Sequence, residues 1–66
     1  MSVPRSLDFT PRGLSAIRAA QYLGVSETKL RELVMRGEVP RPKRIDSRVL
    51  WDRMDLDNYF ENHPRS

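Results

Sequence analysis

AAQYLGVSETKLRELVMRG, residues Ala19–Gly37, holds two short helical patterns of apolar residues separated by one glycine and one serine. Just upstream, Ser15 can cap a helix whose apolar positions Ile17, Ala20 and Leu23 lie on one face, while Ala16 and Ala19 let a neighbour come close. Gly24 ends that helix by taking a left-handed backbone that costs other residues more. Ser26 then caps a second helix, with Glu27 in its first turn, where the helix dipole favours an acid. Leu30, Leu33 and Val34 form an i, i+3, i+4 stripe on it, and Gly37 closes it.

Breaking a helix only to start another at once makes sense if the second must stand across the first. Two helices joined by a short turn containing glycine, at a steep angle, form a helix-turn-helix. Ala20, four residues before the turn glycine, suits that crossing, because a larger side chain would push the helices apart. The arrangement leaves an outer face on the second helix: Thr28, Glu32 and Met35, flanked by Lys29, Arg31 and Arg36. A helix of this size fits the major groove of B-DNA. Lys29, Arg31 and Arg36 suit phosphates or guanine edges, Met35 a thymine methyl, and Ser26 a phosphate at the helix start. The expected DNA-facing set is Ser26, Glu27, Thr28, Lys29, Arg31, Glu32, Met35 and Arg36. Glu32 has two readings: it accepts a hydrogen bond from cytosine N4, or it pairs with a neighbouring cation such as Arg36 at i+4.

Past Gly37 the pattern changes. In EVPRPKRIDSRVLW two prolines forbid a helix, and Ile45 and Val49–Trp51 flank a polar turn as strands flank a hairpin loop. A three-residue loop of Asp46, Ser47 and Arg48 places Ile45 opposite Val49, with Trp51 on the same face covering the helices. This hairpin carries Arg41, Lys43, Arg44 and Arg48. A basic hairpin beside a helix-turn-helix is a wing, able to follow the backbone or enter the minor groove, and its expected contacts are Arg41, Lys43, Arg44, Ser47 and Arg48. Asp52 caps a last helix, RMDLDNYFENH, in which Leu56, Tyr59 and Phe60 form a core stripe before Pro64. Trp51, Tyr59 and Phe60 are expected in the core rather than as platforms for base stacking. The opening MSVPRSLDFTPRG reads as an extended arm with Leu7 and Phe9 tucked onto the core. The expected organisation is an arm over 1–13, one domain over 14–62 and a short tail over 63–66.

Composition limits the function classes. A chain of 66 residues makes one domain that buries only about 60% of its unfolded surface, too little for an enzyme-sized cleft. Without cysteine there is no disulfide framework, thiol nucleophile or Cys-based zinc site, and a reducing compartment is the simplest home. The start lacks the apolar core of a secretory signal, and no apolar run reaches membrane-spanning length, so a soluble cytoplasmic protein is expected. The net charge of +3 is unevenly spread. Residues 26–51 carry seven basic and four acidic side chains, whereas residues 52–66 carry two basic and four acidic ones. His63, beside Pro64, reads as a frayed surface residue. Asp57 and Glu61 share a helical face at i, i+4 with no concave site around them. The chain is therefore not expected to be an enzyme, and no catalytic residue, metal, cofactor or small-molecule ligand is expected.

With those pieces in order, the chain resembles the small winged-helix excisionases and the related AlpA- and MerR-like DNA-binding domains. The resemblance runs from Leu14 to Asn62 and rests on AAQYLGVSETKLRELV, RGEVPRPKRI, RVLW and DLDNYF, in that order. It implies a mainly α fold with a small β-hairpin, a winged helix-turn-helix of MerR/excisionase-like type in a single domain. It assigns the major-groove helix to Ser26–Arg36 and the wing to Arg41–Trp51. Excisionases, or recombination directionality factors, bind tandem sites beside an attachment site, bend the DNA and bias a tyrosine integrase toward excision of a mobile element or prophage. Relatives regulate transcription. The expectation is thus a sequence-specific double-stranded DNA-binding excisionase, bacterial or phage-encoded and nucleoid-associated, with an AlpA/MerR-like transcriptional regulator as the alternative. A pure protein-interaction adaptor would bind DNA weakly and without sequence preference. The chain departs from many relatives in two places: Asp46-Ser47 stands where they have a wing-tip glycine, and HPRS is much shorter than the tail by which excisionases often contact integrase. The acidic end suggests head-to-tail self-association, with Asp55, Asp57 and Glu61 facing the basic wing of the next molecule.

Overall fold

In the computed structural model, which describes residues 10–65, helix α1 (Ala16–Leu23) and helix α2 (Glu27–Met35) are separated by three residues and end alike. Gly24 and Gly37 both lie in the left-handed region, at φ 79° and 77°. After α1 the Gly24 N–H donates to the Gln21 carbonyl and the Val25 N–H to that of Ala20; after α2 the Gly37 and Glu38 N–H groups donate to Val34 and Leu33. These are Schellman endings, which need a positive φ that glycine adopts without a Cβ penalty. At the other ends, the Ser15 and Ser26 hydroxyls accept from the Arg18 and Lys29 N–H groups at 3.3 and 3.0 Å.

The buried face of α1 is a row of Ala16, Ala19, Ala20 and Leu23, spaced i, i+3, i+4, i+7, with Ala19 and Ala20 fully enclosed. Ile17, expected on this face, is 57% exposed. The helix turns its unbroken alanine row inward because small side chains let its backbone approach α2 and the sheet, and Ile17 falls outside that row. On α2, Leu30 and Leu33 are buried and Val34 packs at the edge, as expected. Leu14, Val39, Trp51 and Leu56 complete the core.

Three strands, β1 (Gly13–Leu14), β2 (Lys43–Ile45) and β3 (Arg48–Asp52), form an antiparallel sheet in the order β1-β3-β2. Strand β1 leaves no signal in the sequence, because two residues cannot show alternation. It puts Leu14 opposite Trp51, so the end of the expected arm is part of the sheet. Arg12 locks it there: its Nε and Nη2 each donate at 3.1 Å to the Asp52 carboxylate, and its carbonyl accepts from the Arg53 N–H at 2.7 Å. The Arg53 guanidinium donates to the Thr10 carbonyl at 3.0 Å. Leu7 and Phe9 lie outside the described residues.

The wing register differs from expectation by one residue. Its loop is Asp46-Ser47 alone, and Ile45 pairs with Arg48, Arg44 with Val49 and Lys43 with Leu50. Asp46 makes the tighter turn possible by taking φ 55°, a conformation that Asp tolerates better than most side chains. A one-residue slip moves every side chain to the other face. Val49 and Trp51 thus share the inner face with Arg44, while Ile45 joins Lys43, Arg48 and Leu50 on the outer one and is 58% exposed.

Helix α3 (Arg53–Glu61) starts directly from β3, capped by Asp52, whose carboxylate accepts from the Met54 N–H at 3.0 Å. Leu56 is buried and Tyr59 half-buried, but Phe60, expected in the core, is 66% exposed. Tyr59 takes the place against the core in the last turn of α3, and Phe60, beside it, lines a shallow groove with Leu23, Val25 and Leu33. The Tyr22 hydroxyl donates to Asp57 at 2.7 Å and ties α1 to α3. The result is three helices and a small three-stranded antiparallel sheet in one domain, the architecture of a winged helix-turn-helix.

Two stability measurements check this account. Ala20→Leu should lower the unfolding free energy by ~1–3 kcal/mol in a denaturant titration, because the crossing has no space for added methylenes. The Asp52 carboxyl is held below the usual carboxylate range, first by its hydrogen bonds from Arg12 and then by that from the Met54 N–H. Its contribution is therefore complete above the ordinary Asp range and lost as pH falls through the depressed folded value. Asp52→Asn, which keeps a capping side chain, should flatten the acid limb of melting temperature against pH and leave its neutral arm parallel to wild type.

Candidate nucleic-acid interface

The burial of Leu30 and Leu33 fixes which side of α2 faces solvent. Ser26, Thr28, Lys29, Arg31, Glu32, Met35 and Arg36 are all exposed, Met35 at 86%, and Glu27 is half-exposed. Every member expected from the sequence therefore stands on the outward side or its margin. Three ion pairs link this surface: Arg31 Nη2 to Glu27 Oε2 at 2.8 Å, Lys29 Nζ to Glu32 Oε1 at 3.0 Å, and Arg36 Nε to Glu38 Oε2 at 3.3 Å. Glu32 thus pairs with Lys29 at i−3, not with Arg36, which turns to Glu38 just past the helix end. Exposed pairs of this kind are worth about 0.2–0.5 kcal/mol each, so they yield readily to a stronger anion.

The wing is built otherwise. Arg41, Lys43, Arg44, Ser47 and Arg48 are all exposed, and among the described residues none of these four cations makes an ion pair. The register places Lys43 and Arg48 on the outer face and Arg44 on the inner one, so positive charge lies on both faces of the ribbon. Val39, buried against the core with its N–H donating to the Leu33 carbonyl, anchors the segment that leads from α2 into the wing. The α2 surface and the wing are thereby held by consecutive stretches of one rigid frame.

The acidic end is less available than the sequence suggests. Asp57 accepts from Tyr22, a bond that also raises the Tyr22 pKa, and both Asp55 and Asp57 are half-buried; only Glu61 is freely exposed. His63 stacks at a tilt on Tyr59, with ring centroids 4.6 Å apart.

Two further arginines stand outside the expected set. Arg12 clamps the sheet, and its partner, forty residues away, leaves no local signal in the sequence. Arg18 stands exposed in the first turn of α1 without an ion-pair partner among the described residues. A cation at that end is disfavoured by the helix dipole, and this was the legible signal.

No helix among the described residues is long and apolar enough to cross a membrane. No curated protein and no solved structure matches the chain. A family model described as a helix-turn-helix domain matches residues 14–64, a span that includes all three helices and the wing. The chain belongs to this helix-turn-helix family, a DNA-binding family that includes excisionase-like proteins.

Proposed function

We propose that the protein is a sequence-specific double-stranded DNA-binding protein that acts as an excisionase, binding and bending DNA beside an attachment site so that an integrase excises a mobile element. The observation that carries the DNA-binding part is the contrast between a self-paired α2 surface and a wing whose four cations make no ion pair among the described residues. The wing supplies sequence-independent attraction to phosphates, each neutralised phosphate adding about 0.9 to the salt slope. The helix supplies selectivity: Glu27 and Glu32 keep Arg31 and Lys29 satisfied on the wrong sequence, and a guanine edge or a cytosine amino group in the right place exchanges partners with them. In this reading the protein contributes geometry rather than chemistry and is not an enzyme. The excisionase role itself rests on the resemblance of the motifs.

One observation favours the second reading, a transcriptional regulator. Head-to-tail assembly through Asp55, Asp57 and Glu61 is weakened by the half-burial of the two aspartates and by the bond Asp57 makes to Tyr22, which leaves a single-operator mode of binding. A gel-shift titration on a duplex selected from a random pool, and on the chain's own genomic flanks, separates the two. A ladder of cooperative bands supports an excisionase that assembles on tandem sites, whereas one shifted band supports the regulator.

The division of labour has its own test. Arg31→Ala should weaken binding to the selected duplex by ~1–3 kcal/mol and leave scrambled DNA nearly unaffected, while Arg44→Ala should weaken both alike and lower the salt slope by about one. Equal losses from both variants on scrambled DNA would contradict the assignment.

A further inference from the structure

Ile45 is the one large apolar side chain in β2, and the core does not explain it. It stands next to the two-residue loop, 58% exposed, on the sheet face opposite Trp51. Val49, the other exposed aliphatic of the hairpin, lies on the Trp51 side of the ribbon and is 43% exposed. On the outer face Ile45 is bracketed by Lys43 two residues before it and by Arg48 directly across the ladder, neither of them in an ion pair among the described residues. An isoleucine on an exposed edge strand invites aggregation, and threonine would serve the same strand geometry without that liability.

The shape of the hairpin says what the residue can do. A minor groove about 6 Å wide does not admit a two-stranded ribbon lying flat, since paired strands alone stand about 4.8 Å apart before side chains are added. The tip can enter, and with a loop of only Asp46 and Ser47 the first side chains behind it are Ile45 and Arg48. Apolar wedges inserted at a base step unstack it and open the groove toward the protein, kinking the duplex by about 20–90°. Cations beside the wedge take the phosphates that the kink draws together.

We propose that Ile45 is a wedge that the wing drives into a base step from the minor groove, so that the bend in the bound DNA originates at the wing tip and not at α2. Lys43 and Arg48 hold the flanking phosphates. The proposal rests on the DNA-binding reading above and adds to it the side chain that deforms the DNA.

The test uses the full chain and a 30-bp duplex, a length of about three helical turns, taken from a random pool by selection with the wild-type protein. The duplex carries end fluorophores that report the bend and 2-aminopurine placed in turn at each step. Wild type should shorten the end-to-end distance and raise 2-aminopurine fluorescence at one step. Ile45→Thr, which keeps the β-branched strand geometry, should lose most of both signals while affinity falls by about tenfold at most. Ile45→Leu should restore them. Unchanged melting of Ile45→Thr would show that the exposed site is not structural. If wild type selects and bends DNA and Ile45→Thr bends it equally, the wedge is overturned and the DNA-binding reading stands. If wild type enriches no sequence, the DNA-binding reading falls and the wedge with it.

Discussion

Everything outward-facing in this molecule depends on how closely α1 can approach its neighbours. Ala19 and Ala20 have no accessible surface to spare, and opposite them Leu30 and Leu33 fill the core. Because the residues at the crossing are small, α2 is seated by Leu30 and Leu33 with Val34 at the edge, and its polar side is left to solvent. The left-handed Gly24 then makes the change of direction possible within three residues. A bulkier helix or a longer turn would seat α2 elsewhere and turn a different set of side chains outward.

The sheet does for the wing what the alanine row does for α2. A two-stranded hairpin is marginal by itself in water, and here β3 is held on its other edge by β1, whose attachment is concentrated in the Arg12–Asp52 fork and the main-chain bond from Arg53. Asp52 also caps α3, so one carboxylate joins the arm, the sheet and the last helix. Anchoring at the base leaves the distal half of the hairpin free to project with its charges unpaired. The electrostatics of the proposed interface follow: exposed but internally balanced on the helix, exposed and unbalanced on the wing.

The sequence made the helix-turn-helix legible because its signals are local. Two serine caps, two glycines after apolar stripes and a proline-bearing stretch before an alternating one all act within a few residues of where they occur. The outward face of α2 was legible for the same reason, since burial of Leu30 and Leu33 fixes the rest by the helical period. What escaped was decided by contacts distant in sequence or by single backbone angles. Ile17 shares a helical face with Ala20 and Leu23 by spacing, but packing rewards the close approach that alanines allow, and Ile17 is left 57% exposed. The wing register turned on whether Asp46 would accept a positive φ, and the exposure of Phe60 on Tyr59, its neighbour, packing against the core instead. The Arg12–Asp52 fork joins residues that no period connects. The ion-pair partner of Glu32 was a choice between near neighbours, and the i−3 lysine took it.

In the proposed complex DNA is held by the outer side of α2 together with the wing, while the groove around Phe60 stays out of contact. An amide chemical-shift titration of isotope-labelled protein with a selected duplex tests that claim most directly. Large shifts are expected across residues 26–36 and 41–49, with Tyr59–His63 nearly still. Shifts concentrated on α3 and the Phe60 groove, with the wing unmoved, would contradict it.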